Sequence, residues 1–483
     1  MRIKVVLHYL GLLTALIGLS MLLPLGWSLY YQEPDSLAFL ISLGITVGFG
    51  LLLWRFIPAA SGKLSRREAI ALVAGTWILA SAFAALPYLL AGTFQSFLDA
   101  YFEAMSGFTT TGATVLGNIE GQPHGILFWR SFTQWLGGMG IIMLFVAFFP
   151  VLGMGSAYLV EAEMPGPQPE RLAPRMRDTA KDLWLIYLGF SVLEAALLYA
   201  VGLPPFDALT VTFSTMPTGG FTPTNLSIGA YHSVFVEGIV MFFMLAAGVN
   251  FSLYYFLFWK RQPRSLWGNP ELRLYLSLIL GATLFISLYL MKDMGLSIEQ
   301  AFRYGGFQTI SIMTTTGFVT ADFDAWPAFC RGALLILMLV GACAGSTGGA
   351  LKVIRVLVLS KYTFRQIFLA FSPRAVIPLK VGRNVLSEGV LSGILSLAVL
   401  YFAILVGAFI VMSSLGLDLV TAASSVTACL GNVGPGLGLV GPAQNYAAIP
   451  SIGKGVLTFC MLVGRLELFT VLVLLSPSFW KWR

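Results

Sequence analysis

Apolar residues in this chain come in long blocks, and ten of the blocks are long enough to cross a bilayer. A crossing helix needs about 20 apolar residues. The runs at 4–30, 37–57, 68–92, 126–152, 182–203, 232–259, 271–292, 329–369, 385–415 and 449–476 reach that length, the eighth with an interruption. Four shorter apolar segments lie between them, near 97–108, 206–216, 300–314 and 418–429. They are too short to cross and too apolar to be exposed loops. Each is expected to enter the membrane part-way as a re-entrant helix.

The short segments share a pattern. They read DAYFEAMSGFTTTGATV (99–115), DALTVTFSTMPTGGFTP (207–223), EQAFRYGGFQTISIMTTTGFVT (299–320) and DLVTAASSVTACLGNVGPG (418–436). Each begins near an acidic residue, runs apolar and small, then reaches a Thr/Gly or Gly-rich turn. With Gly112, Gly219, Gly317 and Gly431 taken as equivalent, the intervals are 107, 98 and 114 residues. A period near one hundred accommodates a span, a half-crossing helix, an extended loop and a second span. The expected fold is therefore an all-α polytopic membrane protein. Four helix–pore loop–helix repeats surround one pseudo-fourfold pore, with two extra transmembrane helices at the N-terminus. The expected units are 1–60 for the extra helices and 61–165, 166–265, 266–375 and 376–483 for the repeats.

Composition agrees. The 483 residues are 57% hydrophobic and 11% charged, with a mean hydropathy of +0.83, whereas a soluble domain carries about 25% charged residues. The net charge of +7 is concentrated in clusters at Arg2/Lys4, Lys63/Arg66/Arg67, Arg171/Arg175/Arg177/Lys181, Lys260/Arg261/Arg264, Lys361 to Arg383 and Lys481/Arg483. Ten crossings put every cluster on one side, which the positive-inside rule makes cytoplasmic. Both termini are then cytoplasmic, and the short segments enter from outside. The clusters suit an anionic lipid surface; without interleaved aromatics they do not suggest nucleic acid. Four scattered cysteines and three scattered histidines fit neither a disulfide framework nor a metal site. They also leave no constellation for a membrane enzyme. The N-terminal run starts like a signal peptide, but its length and the span that follows point to a retained helix.

A single Thr/Gly run is also what close helix packing uses. Four in one register on one face call for another explanation. Non-helical backbone at membrane depth survives where it is buried in protein or lines a wet cavity. A cation leaving water must exchange its hydration shell for oxygens, and backbone carbonyls supply them without a net charge to trap it. Gly allows the torsions that turn successive carbonyls inward, and Thr adds a hydroxyl and a stiff anchor. The turns contain no acidic residue, so a monovalent cation fits better than calcium.

At FTTTGATV, STMPTGGFTP, MTTTGF, GACAGSTGGALKVIR, CLGNVGPG and GRLELFT the chain resembles the TrkH/TrkG potassium-uptake proteins, within the Trk/Ktr/HKT superfamily. The resemblance covers essentially the whole chain. It implies a potassium filter of four loops with one key Gly in each: Gly112, Gly219 or its neighbour Gly220, Gly317 and Gly431. The residues that match are Thr110, Thr111 and Gly112; Thr218, Gly219 and Gly220; Thr315, Thr316 and Gly317; and Gly431, Asn432 and Val433. The fourth loop departs from Thr-Gly, so the filter is expected to be only approximately fourfold, with the Asn432 amide near the path. The resemblance further implies gated, channel-like potassium uptake across a bacterial inner membrane. Potassium is then the transported ion, without a covalent cofactor. The partners it implies are a second copy of the chain and a cytoplasmic nucleotide-binding regulator of the TrkA type; the chain has no GxxxxGK[ST] of its own. The alternative is a sodium-coupled or sodium-permeable transporter of the Ktr or HKT kind.

Two features lie outside the filter. The eighth run is broken by Gly341, Ala342, Cys343, Ala344, Gly345, Ser346, Thr347, Gly348, Gly349 and Ala350, where helix propensity collapses. It reads as a packing kink or a flexible intramembrane loop, and the resemblance makes residues 341–349 the gate. Lys352 and Arg355 are expected at its cytoplasmic end. Arg465 lies about twelve residues into the last span, and a charge at that depth almost always faces a cavity. It is expected to face the pore below the filter. Pairing with Glu467 is the competing reading, although residues two apart on a helix point to different faces.

Overall fold

The computed structural model describes residues 1–58, 64–140, 176–382 and 384–481, with the side chains of 176 and 177 excepted. Lys63, Arg171, Arg175, Arg383, Arg483, the second half of the run 126–152 and the expected boundary at 165/166 lie outside the described residues. The Arg177 side chain does too.

The chain opens with α1 (Ile3–Ser20), α2 (Leu22–Tyr31) and α3 (Ser36–Phe56). Backbones of α1 and α3 approach closely at two glycines. A Cβ on Gly11 would lie 2.7 Å from Gly50 O, and one on Gly50 2.5 Å from Ala15 N, the small-residue contact typical of membrane helices. α4 (Arg66–Ala84) starts at a capping box: Ser65 Oγ accepts from Glu68 N and Glu68 accepts from Ser65 N. The same carboxylate takes three donors from Arg2 at 2.9 Å each, tying the N-terminus to the first repeat.

Four repeats follow. The first is α4 with its short continuation α5 (Leu86–Leu90), the half-length helix α6 (Phe97–Phe108), a loop, and α7 (His124–Gly138). The second is α8 (Met176–Ala200), α9 (Pro205–Thr215), a loop, and α10 (Val234–Ala247) with α11 (Phe251–Phe258). After the short α12 (Arg264–Gly268), the third is α13 (Pro270–Met294), α14 (Ile298–Met313), a loop, α15 (Ala328–Val340) and α16 (Val353–Phe371). The fourth, beyond a two-residue strand pair Lys380–Val381/Asn384–Val385, is α17 (Glu388–Ser414), α18 (Leu419–Leu430), a loop, and α19 (Ser451–Arg465) with α20 (Phe469–Leu472); α21 (Pro477–Lys481) ends the described chain.

Among the described residues six helical stretches are long and apolar enough to cross a membrane: Ile3–Tyr30, Ser36–Phe56, Arg66–Leu90, Asp178–Ala200, Pro270–Met294 and Glu388–Ser414. The runs expected as single spans at 232–259 and 449–476 are instead two helices each. They are bent by 94° between α10 and α11 and by 114° between α19 and α20. The causes are local. Asn250 accepts from Ser252 N and starts a new helix, while Glu467 and Leu468 adopt positive φ of 51° and 31° just after Arg465. In all four repeats the helix after the loop stops, at Gly138, Ala247, Val340 and Arg465.

The half-length helices α6, α9, α14 and α18 are capped where they enter. Ser96, Ser297 and Asp418 accept from first-turn amides, and Pro205 opens α9. Acidic Asp99, Asp207 and Glu299 sit in first turns, where the helix dipole favours them. Thr421 hydrogen bonds hold the Asp418 carboxyl below its ordinary range.

Candidate functional site

The four half-length helices end in the same turn. Thr111, Gly219, Thr316 and Val433 donate their N–H to carbonyls five residues back, Ser106, Ser214, Ser311 and Ala428, at 2.8–2.9 Å. The preceding residues, Thr110, Thr218, Thr315 and Asn432, donate to carbonyls three back. Those four are left-handed, with φ of 54°, 57°, 61° and 53°. This is a Schellman-type ending, which usually takes Gly or Asn. Threonine at positive φ is an outlier worth about 1–3 kcal/mol of strain. Three copies of it at one level identify a site where conformation is imposed by surroundings.

Two residues on from each left-handed position stands a glycine at positive φ: Gly112 (78°), Gly220 (79°), Gly317 (81°) and Gly434 (102°). These four meet one another in sequence. A Cβ on Gly112 would collide with Gly219 O, one on Gly220 with Thr316 O, one on Gly317 with Val433 O, and one on Gly434 with Thr111 O. Each loop is thus wedged against the carbonyl of the next, and the fourth returns to the first. A ring of this kind admits no side chain at any of the four glycines.

The register differs from the one read off the sequence in the fourth loop. There Gly434, not Gly431, shares the conformation of Gly112 and Gly317, and of the two candidates in the second loop it is Gly220 that does so. Gly431 is the right-handed cap of α18 (φ −81°), in the place held by Thr109 after α6 and Thr314 after α14. The equivalent of Thr110 is Asn432, so the last loop substitutes an amide for a hydroxyl. Asn432 Nδ2 donates to Thr111 Oγ1 and to Met461 O, each at 3.0 Å. It therefore bridges the fourth loop to the first.

The loops are braced by residues that the sequence reading passed over. Gln134 of α7 donates to Gly219 O at 2.6 Å and accepts from Phe221 N at 3.1 Å. Arg130, one helical turn earlier, pairs with Glu103 of α6 at 2.8 Å, both fully buried. Glu103 also accepts from Thr114 Oγ1 and Val115 N. Arg130 donates to Thr222 O, and its guanidinium lies 4.2 Å over Phe221. One ion pair thus fastens loop 1 to loop 2. Lys454 of α19 reaches Asp99 of α6 at 2.7 Å, and Arg303 of α14 reaches Glu237 of α10 at 2.6 Å. Polar residues inside apolar runs were the available signal. The α6, α9, α14 and α18 C-termini all adjoin the ring, with the negative ends of their dipoles favouring a cation there.

On one side of the ring lies a cavity of about 180 Å³, lined by Gly112, Gly220, Gly317 and Gly434 together with Arg130, Asn225 and Tyr446. On the other side lies the small-residue loop 341–350. It is buried almost throughout and bonded to three repeats. Thr347 Oγ1 donates to Met216 O, Gly349 N to Thr315 Oγ1 at 2.8 Å, and Cys343 N to Gly248 O; Phe251 N donates to Gly345 O. Ala344 N and Ile354 N both donate to Glu271 Oε1. A Cβ on Gly349 would strike Gly431 O, so the loop lies directly against the ring's underside.

Arg465 is 8% exposed. Its Nη1 donates to Thr347 O and its Nη2 to Gly137 O, each at 2.7 Å, and Nη2 also to Gly138 O. It joins the end of α7 to the small-residue loop. Glu467 pairs instead with Arg355 at 2.6 Å. Lys352 is buried, with Nζ on Gly348 O. Lys352 and Arg355 are therefore parts of the loop's packing, and Arg465 is not the only buried charge there.

Four half-crossing helices that close a ring of carbonyls, with a loop packed beneath it, define a pore-loop membrane transport protein. The family model described as TrkH, cation transport protein, matches residues 38–482, and the chain belongs to that family. It is 38% identical to the Trk system potassium uptake protein TrkH of Salmonella typhimurium and 39% to that of Halomonas elongata, over the full length of both chains in each case. It is 33% identical to the Escherichia coli potassium uptake protein TrkG over 99% of each chain. The crystal structure of the potassium transporter TrkH from Vibrio parahaemolyticus superposes with a TM-score of 0.90 at 36% identity, covering all of both chains.

Proposed function

We propose that this chain takes up potassium across a bacterial inner membrane through a gated pore. The closed ring of Gly112, Gly220, Gly317 and Gly434 on the carbonyls of Gly219, Thr316, Val433 and Thr111 is the observation that carries the reading. Rigid wedging fixes where carbonyl oxygens stand, and fixed neutral oxygens are what a dehydrated monovalent cation needs. The filter comprises 110–112, 218–220, 315–317 and 432–434. The loop 341–349 is the gate and Arg465 the pore charge. Both termini are cytoplasmic in this reading, which the one-sided positive clusters support. The relatives are potassium proteins by name, which favours potassium over the sodium alternative.

The chain works as a homodimer with a cytoplasmic nucleotide-binding regulator of the TrkA type, the five units beginning near 1, 61, 166, 266 and 376. The test is rubidium and sodium flux into liposomes containing the purified chain, with and without such a regulator. Rubidium uptake well above sodium uptake is expected. Equal flux of both ions, or none under any condition with folded protein, overturns the reading.

A further inference from the structure

The four loops of the ring are not anchored alike. In loop 1, Thr109 Oγ1 gives its hydrogen to Met105 O at 2.7 Å, which leaves the Thr111 hydroxyl to donate to Thr109 Oγ1 at 2.7 Å. Loop 3 repeats the arrangement with Thr314 on Ile310 O and Thr316 on Thr314. Loop 2 has Pro217 and Gly219 at those two places, and loop 4 has Gly431 and Val433. Neither can form the hydroxyl pair. A carboxamide holds each of them instead. In loop 4 it is the loop's own Asn432, on Thr111 Oγ1 and Met461 O. In loop 2 it comes from another helix, from Gln134 of α7.

Gln134 is fully buried. Its Nε2 donates to Gly219 O at 2.6 Å and its Oε1 accepts from Phe221 N at 3.1 Å. Turned over, the amide would set oxygen against oxygen and N–H against N–H, so one orientation satisfies both partners. The two bonds fall on either side of Gly220. Arg130, Gln134 and Gly138 are four residues apart and share one face of α7. They meet loop 2 in order: Arg130 on Thr222 O, Gln134 on residues 221 and 219, and Gly138 against Pro217. Gly219 O is also the carbonyl that a Cβ on Gly112 would strike. Gln134 therefore holds the point at which loop 2 closes on loop 1.

The space it fills is informative. A Cβ on Gly219 would lie 2.4 Å from Gln134 Cδ, 2.5 Å from Oε1 and 2.8 Å from Nε2, and those are its three nearest atoms. Gly219 lies outside the left-handed region, so its backbone accepts a side chain. In loops 1 and 3 the same place carries the side chains of Thr111 and Thr316. We infer that Gln134 is a specificity-determining positioning residue: its carboxamide stands in for the threonine side chain that loop 2 lacks, and fixes Gly219 O at the level where the ring discriminates between cations. Without it, Gly219 O and Phe221 N lose their buried partner, which is costly, and loop 2 has no hydroxyl pair to keep its register. Gln134 does not touch the permeating ion. The specificity role rests on the pore proposed above; the sharing of one space by residues 134 and 219 does not.

Rubidium and sodium flux into liposomes of the purified full chain, read beside the thermal midpoint of each variant, tests this. Wild type should favour rubidium. Gln134→Leu keeps bulk and removes both hydrogen bonds; its rubidium-to-sodium permeability ratio should fall several-fold in folded protein. Gly219→Thr drives the carboxamide out and should lower both ratio and midpoint. Gln134→Ala combined with Gly219→Thr vacates the space and puts a threonine in it, so both readouts should lie above those of Gly219→Thr alone, a non-additivity that only neighbours show. An unchanged ratio in folded Gln134→Leu overturns the specificity role, because a structural brace moves the midpoint alone. Should Gln134→Leu fail to fold, a wild-type ratio in Gly219→Thr overturns it equally. A combined variant no better than Gly219→Thr in either readout overturns the shared space. A wild type that admits both ions equally counts against the pore reading and takes the specificity role with it; the midpoints, read without flux, then still decide whether residues 134 and 219 share one space.

Discussion

Glu467 accepts a hydrogen bond from Arg355 Nη2 at 2.6 Å, so the carboxylate two residues beyond Arg465 is committed to another helix. The chain makes this possible by breaking after Arg465, where Glu467 and Leu468 take positive φ and the Glu467 side chain swings toward α16. Arg465 is left to the carbonyls of Gly137, Gly138 and Thr347. Two arginines close in space thus have different work: one joins α16 to the end of the last span, the other joins α7 to the loop beneath the ring.

The Arg355–Glu467 pair should be a stability element. Breaking a buried pair by deleting one partner costs about 3–5 kcal/mol, and Glu467 retains 23% exposure, which places the loss at or below the lower end. Glu467→Ala and Arg355→Ala should each lower the thermal midpoint in detergent. Replacing both together by Leu and Met should recover part of the loss. Unchanged midpoints in both single variants would remove the pair from this role.

The ring register makes a sharper prediction than the sequence alone. Gly434 stands at φ 102° with Thr111 O in the way of a Cβ, whereas Gly431 has ordinary helical torsions and its nearest obstacle is Thr427 O at 2.9 Å. Gly434→Ala should therefore lower the rubidium-to-sodium permeability ratio, as should Gly112→Ser. Gly431→Ala should leave that ratio nearer wild type. The reverse order for 431 and 434 would show that the loops do not meet as the ring describes.

The repeat, the re-entrant segments and the small-residue loop were legible because each rests on composition over a dozen residues. Register in the fourth loop was not. CLGNVGPG offers three glycines, and the choice among them depends on which carbonyl of the neighbouring repeat stands opposite. The broken spans were hidden for a related reason: the runs on either side of VNFSLYYF and GRLELFT are apolar, so hydropathy averaged over a span does not register the turn. Gln134, Arg130 and Glu103 were visible as polar residues within apolar runs. Their purpose depends on partners that stand up to 92 positions away in sequence.

Thr347 should hold the loop shut. Its hydroxyl donates to Met216 O at 3.0 Å, and Ala247 O is a second acceptor at 3.2 Å. Each hydrogen bond is worth about 0.5–1.5 kcal/mol net. Thr347→Val keeps the shape and removes both contacts, so basal rubidium flux should rise several-fold with the permeability ratio unchanged. Deleting several small residues of 341–349 should raise it further. Were selectivity to change before flux in these variants, the loop would belong to the filter.

Arg465 combines a charge with a bridge, and the two can be separated. At an effective dielectric near 20, two unit charges about 8 Å apart repel by roughly 2 kcal/mol, or ~30-fold in rate if nothing compensates. Its guanidinium also spans two elements, with Nη1 on the loop and Nη2 on the end of α7. Arg465→Ala loses both and should raise open-state rubidium flux most. Arg465→Lys keeps the charge, but a single ammonium cannot hold Thr347 O and Gly137 O with the same fork geometry, so its flux should rise less. Glu467→Ala touches neither function and should leave flux per folded molecule near wild type while lowering the thermal midpoint. Flux normalised to folded protein orders the three variants. If Arg465→Ala passes no more rubidium than wild type, Arg465 is a structural clamp, and the barrier to cations must be sought at Lys352, another buried cation against the loop.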